Sequence, residues 1–193
     1  MENNNRILIS PRFSKDDYLD LHLTQNSSDE IWIQAVSIFD DRLYGRFWQP
    51  INILSSNINE NGFAIMALEC LLIETLLQFD LGVEVTPPGN WRNYSQFLKK
   101  HLSELFDKKS SERFYSDIRC GILHSAQTKR GSILTTKTDY VINFQDEILS
   151  VSVEGLTNAL LDYYKDYKEK ILCRNNVEAR RKFIDKMNYI CIR

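Results

Sequence analysis

The sequence predicts a mainly α-helical bundle of about five to six helices, with a small antiparallel β-hairpin inserted before the C-terminal helices. Three observations predict it. Apolar residues recur at helical spacing, as at Ile31, Ala35, Ile38 and Phe39. The stretch NGFAIMALECLLIETLLQF (61–79) is apolar nearly all round except at Glu69, Glu74 and Gln78, the pattern of a helix central to a bundle. The period changes at 132–153, where β-branched residues alternate with short polar turns.

Residues 1–27 read as an irregular segment and 28–193 as one helical domain. In the first, Asn3–Asn5 form a loose end. Arg6–Ser10 form a short edge strand stopped by Pro11, and 16–21 a helical turn. Ser27, Ser28 and Asp29 are cap residues for a helix over about 29–44. Gly45 should end or bend it, and the chain should turn at Pro50. After the apolar helix, Gly82, Pro87, Pro88 and Gly89 mark 81–93 as a loop. A third helix is expected over 94–106. A fourth is expected to be capped by Ser110 or Ser111 and closed by Lys129, Arg130 and Gly131. Strands at 132–136, 139–144 and 148–153 precede helices at 154–173 and 177–190.

With 193 residues, 43% hydrophobic and 26% charged, the chain can bury a sizeable core. A net charge of −2 excludes a strongly basic nucleic-acid binder, though not a local basic patch. Cys70, Cys120, Cys173 and Cys191 show neither metal-ligand spacing nor a disulfide framework. No metal and no cofactor are expected. The start MENNNRILIS lacks the order of a signal peptide, and no apolar run is expected to reach bilayer-spanning length. A cytoplasmic protein with no membrane contact follows as the expectation.

The stretch FYSDIRCGILHSAQT (114–128) brings an arginine and a histidine together on an amphipathic helix. At about 100° per residue, Phe114, Tyr115, Ile118, Ile122 and Ala126 form its buried side. Arg119 then lies at the edge of that side. His124 lies on the far side with Asp117 and Cys120, about 140° from Arg119. Leu123 falls between the two, which suggests a covered surface, by another helix or by a second copy of the chain. A buried carboxylate needs a partner, so Glu69 or Glu74 would pair with Arg119. Lys129 and Arg130 either guide a nucleic-acid backbone or simply close the helix. From Tyr163 onward nine Lys/Arg face four Asp/Glu, read as a solvated helix face with an RNA-facing side as the alternative. Cys120 and His124, four apart, share a face and leave a Cys–His nucleophile pair as a minor reading.

The segment DIRCGILHSA resembles the Arg-x-x-x-x-His motif of HEPN domains, small helical domains of bacterial toxin–antitoxin, abortive-infection and CRISPR-associated systems. The resemblance covers 117–126 at motif level and about 29–187 as an order of helices. It implies a HEPN-like bundle acting as a homodimer on RNA, with an antitoxin or another defence protein as partner. It also implies a metal-independent endoribonuclease with Arg119 and His124 as catalytic residues and Glu69, Asp117 and Cys120 in support. Cys120 departs from the polar residue often found after the arginine in active members. A catalytically inactive module that binds RNA, a nucleotide or a protein is therefore the second reading.

Overall fold

The computed structural model describes residues 6–87, 89–136 and 139–192; Asn3–Asn5 and Pro88 lie outside them. The elements run α1 (Lys15–Leu19), α2 (Asp29–Leu43), a π-helical turn (Tyr44–Trp48), α3 (Gln49–Ser55), α4 (Ile58–Leu81) and α5 (Trp91–His101). Then come α6 (Lys108–Arg113), a second π-helical turn (Phe114–Arg119), α7 (Cys120–Ser125), β1 (Ile133–Thr135), β2 (Ile142–Gln145), β3 (Ile148–Ser152), α8 (Val153–Leu172) and α9 (Val177–Ile192). The chain is mainly helical with a small sheet, as expected. It divides into two compact units, one of residues 1–50, 78–85 and 166–193, the other of 51–77 and 86–165.

The first unit is built on aromatic packing. Phe39 lies 4.6 Å from Phe79 and 5.4 Å from Phe183, ring centre to ring centre, and Trp32 lies 5.7 Å from Phe183. Arg180 is buried and caps α8: Nε donates to the Ile171 carbonyl at 3.0 Å and Nη2 to that of Leu172 at 2.7 Å. Lys186 is also buried, donating to Gln78 Oε1 at 2.7 Å. Two of the basic residues of the C-terminal region are thus internal, so the run does not form one solvated or RNA-facing side. Arg6–Ser10 forms an isolated bridge, Leu8 to Ser14, rather than a strand. Helical backbone continues through Gly45 because a π-helical turn absorbs the bend there. A Cβ at Gly45 would sit 2.3 Å from Pro11 Cγ, so this close approach requires glycine.

The second unit is organised around α4. Ile65, Met66, Cys70, Leu72, Ile73, Leu76 and Leu77 are buried along it. Tyr94 on α5 donates to the Cys70 carbonyl, and Phe97 on α5 meets Tyr163 on α8 at 5.1 Å. Helix α5 ends at His101, earlier than the periodicity suggests, because Leu102 leaves helical geometry. Asp107, not Ser110 or Ser111, caps α6: its Oδ1 accepts from the Ser110 N–H at 2.8 Å, and its own N–H donates to the Ser110 hydroxyl oxygen at 2.9 Å.

The sheet differs from a purely antiparallel hairpin. Strands β2 and β3 pair antiparallel as expected, but β1 adds to the other edge of β3 in parallel, giving the order β1-β3-β2. The β2–β3 turn is two residues, Asp146 and Glu147, both with positive φ, the geometry that matches strand twist in tight hairpins.

By length and composition α4 is apolar enough to cross a membrane, so the expectation that no run reaches that length does not hold; Glu69 and Glu74 are too few to interrupt it. Half of its most apolar window is buried inside the protein.

Candidate functional site

All the residues singled out in 114–130, with Glu69 and Glu74, lie in the second unit. The helix carrying them is not a uniform α-helix. Phe114–Arg119 is π-helical, and regular α-helix resumes at Cys120. A π-turn advances each residue by a smaller angle than 100°, so positions before Arg119 rotate relative to the simple wheel. Asp117, expected beside His124 on the far side, is fully buried, because the chain returning to Ser132 folds over that side.

Asp117 is the structural clamp of the region. Its Oδ2 accepts from Arg113 Nε at 2.7 Å, four residues earlier, and from Ser132 Oγ at 3.2 Å. Its Oδ1 accepts from Arg130 Nε at 2.8 Å and from Ser116 Oγ at 2.9 Å. Burial alone would raise its pKa, but the bonds from Arg130, Ser116 and Arg113 outweigh burial and hold the carboxyl below the usual aspartate value. Arg130, expected to guide RNA, is thereby committed to the fold.

The helix ends at Ser125, earlier than the Lys129–Gly131 signal predicts, because Ala126 turns left-handed (φ 51°). The chain then folds back, and the Lys129 N–H donates to the Asp117 carbonyl at 3.0 Å. Gly121 makes this return possible. A Cβ there would lie 2.4 Å from the Gln127 carbonyl oxygen and 3.3 Å from Thr128 Cα, both backbone atoms. Gly121→Ala is expected to destabilise the protein by about 1–3 kcal/mol, read as a lower urea midpoint with an unchanged m-value.

Arg119 pairs with Glu74, not with Glu69: Nη2 lies 3.5 Å from Oε2. Glu74 is itself oriented, its Oε1 accepting from Asn90 Nδ2 at 2.9 Å and from the Thr86 hydroxyl. The guanidinium lies 5.4 Å from the Tyr115 ring centre. Burial opposes its charge, but Glu74, Tyr115 and Cys120 prevail and keep its pKa above the ordinary arginine value. Its Nε is buried and has no hydrogen-bond partner among the described residues, so the side chain is half-buried, positively charged and not saturated by them.

Leu71, on the same face of α4 as Glu74, is exposed, and so are Phe63 and Ala64 about two turns further back, with half-buried Ala67 and Leu68 between them. The Arg119–Glu74 pair therefore stands at one end of an uncovered apolar stripe. His124 is exposed near the C-terminus of α7 and has no hydrogen-bond partner among the described residues. Leu123 beside it is half-buried. Cys120 is half-buried and lines a cavity instead of forming a set with His124.

Glu69 is completely buried on α4. Its Oε1 accepts from the Thr157 hydroxyl, and its Oε2 has no partner among the described residues. Burial raises its pKa well above the usual carboxylate value, which the Thr157 bond only partly offsets. The folded protein thus holds a proton that the unfolded chain releases above the ordinary glutamate value of 4.5. Stability contributed by this site falls as pH rises above that value. Glu69→Gln, neutral at every pH, is expected to leave stability nearly unchanged at pH 4 and to raise it at pH 8, measured by urea unfolding at the two pH values.

Among the described residues, no three His, Cys, Asp or Glu side chains cluster as metal ligands. A cavity of about 740 Å³ lies beside the candidate helix, with Cys120 and Lys129 in its wall together with Trp91, Tyr115 and Phe144. Trp91, Lys109 and Phe144 line this cavity without having been singled out in the sequence; for Trp91 the available signal was a Trp-Arg pair following Gly89-Asn90. Comparison with protein-family models, with curated proteins and with solved structures finds no match for this chain.

Proposed function

We propose that the protein is a cytoplasmic, metal-independent endoribonuclease of HEPN type that cuts RNA as a homodimer, in a toxin or phage-defence role with an antitoxin or another defence protein as partner. The observation that carries this reading is the placement of Arg119, oriented by Glu74 and still holding a free donor, at the end of the exposed Phe63–Leu71 stripe. A second copy covering that stripe brings two such arginines toward one cleft and removes water from around them. Exposed His124 supplies the proton-transfer group from each chain.

The chemistry balances without a metal. One His124 takes the proton from the ribose 2′-OH, and the 2′-oxygen attacks the adjacent phosphorus. Arg119, permanently charged, stabilises the phosphorane oxygens. The P–O5′ bond breaks, and the second His124 gives its proton to the leaving 5′-oxygen. The products are a 2′,3′-cyclic phosphate and a 5′-hydroxyl.

One observation favours a non-cutting RNA-binding module: the Glu74 carboxylate neutralises part of the charge that Arg119 must offer phosphate. The test is incubation with RNA in excess chelator and identification of the ends formed. Cyclic phosphate ends support the ribonuclease. Intact RNA that remains bound overturns it in favour of the module.

A further inference from the structure

The cavity beside α7 has a composition that neither Arg119 nor His124 explains. Its rim carries three aromatic side chains, Trp91, Tyr115 and Phe144, and Trp91 is 42% exposed. Four cations line it, but they are not equivalent. Arg113 is held by Asp117 and Glu147, and Arg130 by Asp117. Lys109 and Lys129 are exposed and form no ion pair among the described residues. The hairpin forms one wall: Phe144 on β2 has the Arg113 guanidinium 5.7 Å from its ring centre, and Glu147 comes from the tight turn. The exposed part of Trp91, whose ring centre lies 5.2 Å from the Arg92 guanidinium, these two ammonium groups and carboxylate acceptors within about 740 Å³ match a planar heterocycle joined to a phosphate.

We propose that this cavity binds one nucleotide, its base packed on Trp91 and its phosphate held by Lys109 and Lys129, with the β2–β3 turn as the wall that closes the site. The inference rests on the RNA-binding part of the reading above and not on cleavage. A second cavity of about 250 Å³ shares Trp91 and Glu112 with the first and adds Arg92, Lys99 and Lys108. This basic continuation favours a nucleotide within a single strand over a free one, because the next phosphates have cations to meet.

The test uses the full chain and a fluorescent 2′-O-methyl RNA hexamer, which binds but cannot be cut. Anisotropy titrations compare wild type with Trp91→Ala and with Lys109→Ala/Lys129→Ala, all exposed positions whose folding is checked by circular dichroism. Each variant is expected to bind at least ~5-fold more weakly, the loss that one stacked base or its phosphate contacts would cause. Binding is read with this uncleavable RNA and cleavage with an unmodified one, so failure of cleavage and failure of this site are separable. AMP is expected to displace the hexamer, more weakly than unlabelled hexamer does if the natural ligand is a strand and equally well if it is a free nucleotide. Absence of binding, binding unchanged in both variants, or displacement by inorganic phosphate as effective as by AMP would overturn the proposal.

Discussion

Arg119→Ala and His124→Ala are each expected to lower RNA cleavage about 10²–10⁴-fold, the contribution of a positioned proton-transfer or charge-stabilising group. The physical reason differs between them. His124 is exposed and makes no bond that the fold needs, so its removal should leave the melting temperature unchanged while the rate collapses. Arg119 is tied to Glu74, so its removal also leaves a carboxylate with only Asn90 and Thr86 for partners. A stability loss should therefore accompany the rate loss for Arg119→Ala alone. Phe63→Glu/Leu71→Glu keeps both groups but charges the exposed stripe of α4. It should yield a monomer by size-exclusion chromatography and abolish cleavage together with dimerisation. Cys120→Ala should cut normally, whereas inactivation would move the chemistry to the cysteine. Equal cleavage by wild type, Arg119→Ala and His124→Ala would sink the ribonuclease reading.

Asp117→Asn is expected to cost about 3–5 kcal/mol, the usual consequence of removing one member of a buried charge cluster. Arg113, with 17% of its side chain exposed, loses its charged partner inside the fold, and the return of the chain from Gln127 to Ser132 loses its anchor. Arg130→Ala should cost far less, because its side chain is 57% exposed and solvent can replace the contact. The pH dependence has a definite sign. The folded pKa of Asp117 lies below its ordinary value of 3.8, so its stabilisation is present above that value and lost as pH falls through the folded one. Urea unfolding followed from pH 7 downward should show wild type starting to lose this increment below pH 3.8 and Asp117→Asn lacking it throughout. Equal stability of the two proteins at pH 7 would show that the clamp contributes nothing.

Much of the helical order was legible because periodicity is a local property. The spacing of Ile31, Ala35 and Ile38 marks α2, and the all-round apolarity of 61–79 marks α4 as central. Helix ends were less legible. Asp107 rather than Ser110 or Ser111 caps α6, and both choices satisfy the same local preference. Only the surrounding packing selects between them. The i,i+4 spacing of Arg113 and Asp117 could have signalled an ion pair, but a wheel drawn at a constant angle only placed Asp117 on the far side with His124.

Residue type and spacing alone specify a mainly helical chain with a short β insertion and an Arg-x-x-x-x-His stretch on a helix. The tertiary structure decided which of those residues are free to act. The chain returning from Gln127 to Ser132 buries Asp117, which recruits Arg130 from the candidate RNA-binding pair. Glu74 rather than Glu69 meets Arg119, since only Glu74 lies on the face of α4 that the arginine reaches. Gly121 lets the following loop close, which sets Lys129 at a cavity whose other wall comes from the β2–β3 turn. Each of these outcomes depends on contacts between residues far apart in the chain, and no local pattern encodes their angles.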